Sequence, residues 1–335
     1  MITLDSIKAV QELLSQPSKC VIVTHRNPDG DAMGSSLGWK AFLEKCGHSV
    51  TFISPTLFTN NIRWMPGSKQ VLEFEKEKLK PSCLKAIAEA DIIFCLDFNS
   101  LARLEDLGEA IQLATAKKVI IDHHQQPEDF AFSTISFTNY AATSEMIFDV
   151  IEQLGRTDLI DQEIAENLYT GIATDTGFFQ FSNTTPNVLR ILGALVAKGA
   201  RPDYVSDKVN NVYDLRRMRY LGFVLWEKLK IAKQGKVAYI SINSEEAKRF
   251  NLQLGDNDGV VNYGFKVEGV QVCALFTEEK DRIKISFRSK GNIDVNAFAR
   301  KHYNGGGHIN ASGGKASGSM EEVITGFIEK VDELI

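Results

Sequence analysis

The sequence predicts an α/β protein: an N-terminal domain built on a doubly wound parallel sheet, with a second, smaller α/β domain after it. Short apolar runs rich in valine and isoleucine alternate with helical stretches through the first half of the chain. Connections of that kind make parallel strands with helices on both faces. Acidic and histidine residues stand where those runs end, on the edge where such sheets bind ligands. A second series of strands then follows a long helical segment and closes on a glycine-rich stretch.

Taken in order, the chain opens on an amphipathic helix with Ile7, Val10, Leu13 and Leu14 on one face. Strands are predicted in CVIVTH, SVTFIS, DIIFCLD and KVIIDHH, and a helix over 31–46, opened by small and acidic residues. Beyond Asp175 helices run to about Lys198, GARPD breaks them, and a further helical segment spans 203–230. Strands follow near KVAYISI, GVQVCALF and RIKISFRS, then a helix over 295–301, a glycine-rich loop, and a last helix from Met320. The expected division is a first domain over 1–190, a helical linker over 191–228 and a second domain over 229–335.

The 335 residues allow two domains with a sizeable core each, and 44% hydrophobic with 24% charged residues is ordinary globular composition. No apolar run reaches the length of a membrane span, and the N-terminus lacks the basic start and apolar core of a signal peptide. The five cysteines are scattered and never spaced as CxxC, which suits small core residues in a reducing compartment. A cytoplasmic protein without membrane association is expected. The net charge of −5 argues against a strong binder of long nucleic acid, yet leaves room for a small phosphorylated ligand.

The chemistry lies in dispersed acids and imidazoles. His25, Asp29 and Asp31 are spaced HxxxDxD, with Pro28 and Gly30 shaping the turn between strand and helix. Asp97 ends DIIFCLD, Asp122-His123-His124 follows KKVII, and Asp175 lies in TGIATDTGFF. One such segment alone reads as an Asp-Gly turn with a helix cap at Asp31. Jointly they read as a centre for two divalent ions, because carboxylate and imidazole without thiolate suits manganese, iron or magnesium. Two such ions activate water for attack on phosphorus. Adjacent residues at a strand end point oppositely, so His123 and His124 are not expected on one ion; one would ligate and the other face the substrate. Asp122 either orients a histidine or reaches an ion through water.

These segments resemble motifs one to four of the DHH phosphoesterase superfamily, over the first half or so of the chain. The resemblance implies that His25, Asp29 and Asp97 hold one ion, and that Asp31, Asp97, His123 and Asp175 hold the other. It makes Asp97 the bridging ligand and His124 the substrate-facing histidine, with Asp122 beside it in the catalytic set and Mn2+ as the usual ion.

In the second domain, YNGGGHINASGG offers backbone N–H groups around Gly306 and Gly307, with His308 as a further donor. Lys284, Ser286 and Arg288 alternate onto one face of the preceding strand, where Arg288 suits bidentate phosphate binding. Arg103 is a further phosphate candidate, with a surface ion pair to Glu105 or Asp106 as the alternative. The GGGH segment and upstream Arg strand resemble the DHH-associated domain of type one, which grips the nucleotide end of the substrate. At this length the resemblance is to the nanoRNase and pAp phosphatase group. It implies degradation of very short RNA oligonucleotides to mononucleotides and removal of the 3′-phosphate of pAp, with cyclic di-AMP or pApA as the alternative substrates. Similar proteins are often dimers, so a homodimer is the implied assembly.

Overall fold

The computed structural model describes residues 2–253 and 255–335. Contacts divide the chain into a first unit ending at Val212 and a second beginning at Tyr213. The boundary between the units falls within residues 191–228.

The first unit carries a six-stranded, all-parallel sheet: β1 (Lys19–Val23), β2 (Ser49–Ser54), β3 (Leu72–Glu73), β4 (Ile92–Leu96), β5 (Lys117–Asp122) and β6 (Ser133–Ser136). The spatial order is β3-β2-β1-β4-β5-β6. Its helices are α1 (Leu4–Leu13), α2 (Gly30–Lys45), α3 (Lys80–Ala88), α4 (Leu107–Leu113), α5 (Thr143–Gln153), α6 (Gln162–Asp175), α7 (Pro186–Ala197) and α8 (Pro202–Asn210).

Strand residues alternate between two apolar clusters, as buried strands covered on both faces must. Cys20 and Ile22 of β1 join the cluster formed with α2, α5, α6 and α7. Val21 and Val23 join the opposite one, against Cys83 and Ile87 of α3 and Leu107 and Ile111 of α4. The sheet is thus doubly wound. Helices α2 and α6 cross closely because both are small at the contact. A Cβ on Gly34 would lie 2.5 Å from the Asn167 carbonyl oxygen, and one on Gly171 would lie 2.7 Å from an Asp31 carboxylate oxygen. That crossing brings the end of α6 to the start of α2.

The second unit begins with α9 (Leu215–Phe223) and a π-helical turn, Val224–Lys228. It holds a mixed six-stranded sheet of β7 (Lys230–Ala232), β8 (Val237–Ile242), β9 (Val272–Glu278), β10 (Ile283–Ser289), β11 (Gly306–His308) and β12 (Ala311–Ala316), ordered β11-β12-β10-β9-β8-β7. Only β8 and β9 pair in parallel; the short α10 (Ser244–Arg249) lies on the connection between them. Helices α11 (Val295–Tyr303) and α12 (Met320–Lys330) cover one face through Phe298, Tyr303 and Phe327. The stretch expected to be one glycine-rich loop is instead a hairpin, β11 and β12, added to the sheet edge. Cross-strand pairing overrides the low strand propensity of its glycines.

Among the described residues no helix is long and apolar enough to cross a membrane. All five cysteines are free, and Cys20, Cys83, Cys95 and Cys273 are buried.

Candidate metal centre

Strand order reverses between β1 and β4, and α/β sheets bind ligands beyond the carboxyl ends of strands at such a point. His25 lies two residues past β1, Asp97 directly follows β4, and β5 ends on Asp122. All are buried, as are Asp31, His123 and His124.

The turn after β1 is fixed by its own chemistry. Asp29 is the N-cap of α2: its Oδ1 accepts from the amides of Asp31 (3.1 Å) and Ala32 (3.0 Å). The cap that a bare Asp-Gly turn would have put at Asp31 therefore sits two residues earlier. The other Asp29 oxygen lies 3.9 Å from His25 Nε2. His25 Nδ1–H donates to the Arg26 carbonyl at 2.7 Å, which turns Nε2 towards Asp97 Oδ2, 3.4 Å away.

Asp97 is the hub. It adopts a left-handed backbone, φ +64°, unusual for a residue with a side chain and a form of strain that clusters at functional sites. Its Oδ2 faces His25, while its Oδ1 lies 3.4 Å from His123 Nε2 and 3.7 Å from His124 Nδ1. His123 Nε2 is also 3.4 Å from Asp175 and 3.9 Å from Asp31. Within the first unit three groups have ligand atoms within 4.8 Å of one another: His25, Asp29 and Asp97; Asp31, Asp97 and His123; Asp97, Asp122 and His124. Asp97 belongs to all of them.

His123 and His124 do not diverge as strand alternation would require. The strand ends at Asp122, so alternation no longer governs the next two residues. Both rings approach the same Asp97 oxygen, stacked edge to face at 4.9 Å. Their Nδ1 atoms are tied differently: His123 to the Tyr140 carbonyl at 3.2 Å, His124 to Asp122 Oδ1 at 2.7 Å.

Crowded carboxylates shape the electrostatics. Burial and the Asp97 charge push Asp31 up to about 7, and burial with the Asp31 and Asp29 charges pushes Asp175 well up. Burial also acts against ionised Asp97, but hydrogen bonds with His123 and His25 hold it well below the usual carboxylate range. His123 is held well above the ordinary imidazole value, against its own burial, by Asp97, Asp175 and Asp31. Burial pushes His124 down and, with the Asp97 charge, raises Asp122 to about 6. The pocket thus concentrates more negative charge than its own cationic groups offset. Hard oxygens, two imidazole Nε2 atoms aimed inward, and Nδ1 atoms anchored on carbonyls fit divalent cations.

One contributing segment carried no signal in the sequence. Helix α5 starts after Ala142, which offers no capping side chain; Asp31 serves instead. The Thr143 amide donates to Asp31 Oδ2 at 2.6 Å, the Ser144 amide to Oδ1 at 2.9 Å, and Thr143 Oγ1 to Asp97 Oδ1 at 3.0 Å. A Thr-Ser pair at a helix start reads from sequence as local capping, so its distant partners were invisible.

Arg103 lies on a 3-10 turn, Leu101–Leu104, and its carbonyl accepts from the Arg26 amide at 2.8 Å. Its charge acts on both Asp122 and His124, while Glu105 pairs with Arg26. In the second unit, Lys284, Ser286 and Arg288 share one face of β10, opposite the buried Ile283, Ile285 and Phe287. Register aligns Arg288 with Ala311 and His308, and Ser286 with Gly313 and Gly306. His308 is therefore on the same face as Arg288, two strands and about 10 Å away. Gly307 has φ +147° and a Cβ there would lie 2.5 Å from the Ala311 oxygen, so only glycine fits. Its amide donates to Asn296 Oδ1 at 3.0 Å.

The pattern described by the family model "DHH family, N-terminal domain" matches residues 19–172, and that of the DHHA1 domain matches 234–335. An exopolyphosphatase-related protein from Bacteroides fragilis has a crystal structure that superposes with a TM-score of 0.94 at 38% identity, covering 100% of this chain and 98% of that one. The chain belongs to the DHH family. It is a metal-dependent DHH/DHHA1 phosphoesterase, with both of the family's domains in order. This DHH phosphoesterase is 29% identical to the bifunctional oligoribonuclease and PAP phosphatase NrnA of Thermus thermophilus, over 93% of this chain and 89% of that one. It is 25% identical to the cyclic-di-AMP phosphodiesterase PdeA of Listeria monocytogenes over 96% of this chain, but spans only 48% of that protein.

Proposed function

We propose that this DHH phosphoesterase holds two divalent ions, Mn2+ foremost, and degrades very short oligoribonucleotides to mononucleotides, also removing the 3′-phosphate of pAp. The observation that carries the two-ion reading is Asp97: one oxygen faces His25 and the other faces His123. His25, Asp29 and Asp97 would hold one ion; Asp31, Asp97, His123 and Asp175 would hold the other. When bound, such ions lower the pKa of water and offset charge on phosphoryl oxygens.

The chain's own residues do the rest. Asp122 is hydrogen-bonded to His124 Nδ1 and so fixes the ring, leaving Nε2 on the edge directed away from that carboxyl group. Burial favours neutral His124 and raises Asp122 to about 6; in the tautomer in which the protonated Asp122 donates to His124 Nδ1, the ring's single proton is on Nε2 and is suited to a phosphoryl or leaving oxygen. Arg103, on the side of Asp122 and His124, adds positive charge for a substrate phosphate. On the second unit, Lys284, Ser286, Arg288 and His308 bind the nucleotide's phosphate end, with Gly306 and Gly307 keeping the adjoining strand clear of side chains. The free, mostly buried cysteines suit action in the reducing cytoplasm.

Similarity to NrnA over nearly the whole of both chains supports short RNA and pAp above cyclic di-AMP, since PdeA carries as much again beyond the match. Turnover of pAp, pApA, cyclic di-AMP and linear polyphosphate with Mn2+ tests this choice. Adenosine monophosphate released from pAp and pApA, with the other two spared, is the expected pattern. Preference for cyclic di-AMP or polyphosphate would contradict it.

A further inference from the structure

The segment 140–144 touches three of the four residues of one proposed ion site, and nothing in the sequence marks it for that task. The Tyr140 carbonyl accepts the His123 Nδ1–H, the Thr143 and Ser144 amides donate to the two oxygens of Asp31, and the Thr143 hydroxyl donates to Asp97 Oδ1. Asp31, Asp97 and His123 are the members of one ligand cluster. The other cluster, His25, Asp29 and Asp97, shares only Asp97 with this scaffold.

We infer that Thr143 is a positioning residue that builds the Asp31/Asp97/His123 ion site and sets how Asp97 is divided between two ions. This rests on the two-ion reading above. Thr143 is fully buried at the first turn of α5, so its side chain has one setting. Its hydroxyl donates to the same Asp97 oxygen that faces His123, and not to the one that faces His25. With that donor in place, Oδ1 keeps its second lone pair directed at the Asp31 and His123 side. Without it, the carboxylate turns about its Cβ–Cγ bond, an sp³–sp² torsion with only a broad preference of its own. The backbone contacts to Asp31 survive any side chain at position 143. The hydroxyl contact does not.

The test separates the hydroxyl from the fold. Metal-stripped wild type, T143V and T143S are titrated calorimetrically with Mn2+, and kcat and KM for pAp are measured on the loaded proteins. Wild type is expected to show two binding steps. T143V, nearly isosteric, is expected to weaken one step by about 10- to 100-fold, the usual cost of losing a ligand's supporting hydrogen bond. The other step changes little, and kcat falls while KM holds. T143S, which restores the hydroxyl, is expected to restore both steps and kcat. Two unchanged steps in T143V, or equal weakening of both in T143V and T143S, would overturn the inference while leaving the two-ion reading intact. A single step in wild type would remove the two-ion reading, and this inference with it.

Discussion

Asp97 is the residue on which the metal centre turns. It is the member common to every ligand cluster built on the first unit's acids and stands on a left-handed backbone that its neighbours must hold in place. Asp97→Ala is expected to lower kcat by at least about 1000-fold, the scale of losing a preorganised electrostatic contact, and to abolish the Mn2+-induced rise in melting temperature. Asp122→Asn removes the charge behind His124 and should cost about 10- to 100-fold in kcat with metal content unchanged. The raised carboxylates give a pH prediction. In the ion-free protein Asp31 titrates near 7, so its contribution favours the fold fully below its unfolded value of 3.8 and is lost as pH rises through 7. Divalent ions must displace that proton, so Mn2+ affinity should fall as pH drops below 7, with proton release visible as buffer-dependent heats. The acids and imidazoles themselves were legible in the sequence, because carboxylates and imidazoles set repeatedly at the ends of apolar runs converge on one sheet edge and there call for a cation. Thr143 was not: its meaning lies in contacts to Asp31 and Asp97, more than forty residues away in the chain.

Among the elements, β1, β2, β4 and β5 were legible because each carries consecutive buried apolar residues. The strands that escaped are very short or bury little apolar surface. β3 has two residues, β7 is KIA with Ile231 exposed, β6 buries only Ile135 among STIS, and β11 and β12 are GGH and ASGGKA. Their pairing is decided by tertiary neighbours, not by propensity. The α2–α6 crossing offers a test of how elements deliver the site. Gly34 faces backbone, the Asn167 carbonyl and the Gly171 amide, which cannot move aside as a flexible side chain would. Gly34→Ala is expected to destabilise the fold by about 1–3 kcal/mol in urea titration, through overpacking. Because the same crossing seats Asp31 against α6, Mn2+ affinity should fall with it. Unchanged stability would mean the two helices separate more easily than their packing indicates.

For the whole molecule, the buried acids and imidazoles cluster on the first unit, while Lys284, Ser286, Arg288 and His308 share one sheet face of the second. The doubly wound sheet was readable because its strands alternate with helices, whereas the second sheet was only half readable, its edge hairpin hidden in a glycine-rich stretch. Arg288→Ala is expected to raise KM for pAp about 10-fold or more, the range for a charged hydrogen bond, with Mn2+ binding unchanged. Mn2+ at about 100 times its dissociation constant should stabilise the protein by about 2.7 kcal/mol, seen as a raised melting temperature that chelation reverses. Hydrolysis of very short RNA is tested most directly by Mn2+-dependent turnover of a 5′-labelled RNA ladder from two to about 24 nucleotides, the upper length well beyond what a mononucleotide-releasing enzyme for very short chains should favour. Rapid conversion of only the shortest RNAs to mononucleotides, abolished by chelator and by Asp97→Ala, is the predicted result. Turnover that is equal at all lengths, or that persists without divalent ions, would contradict it.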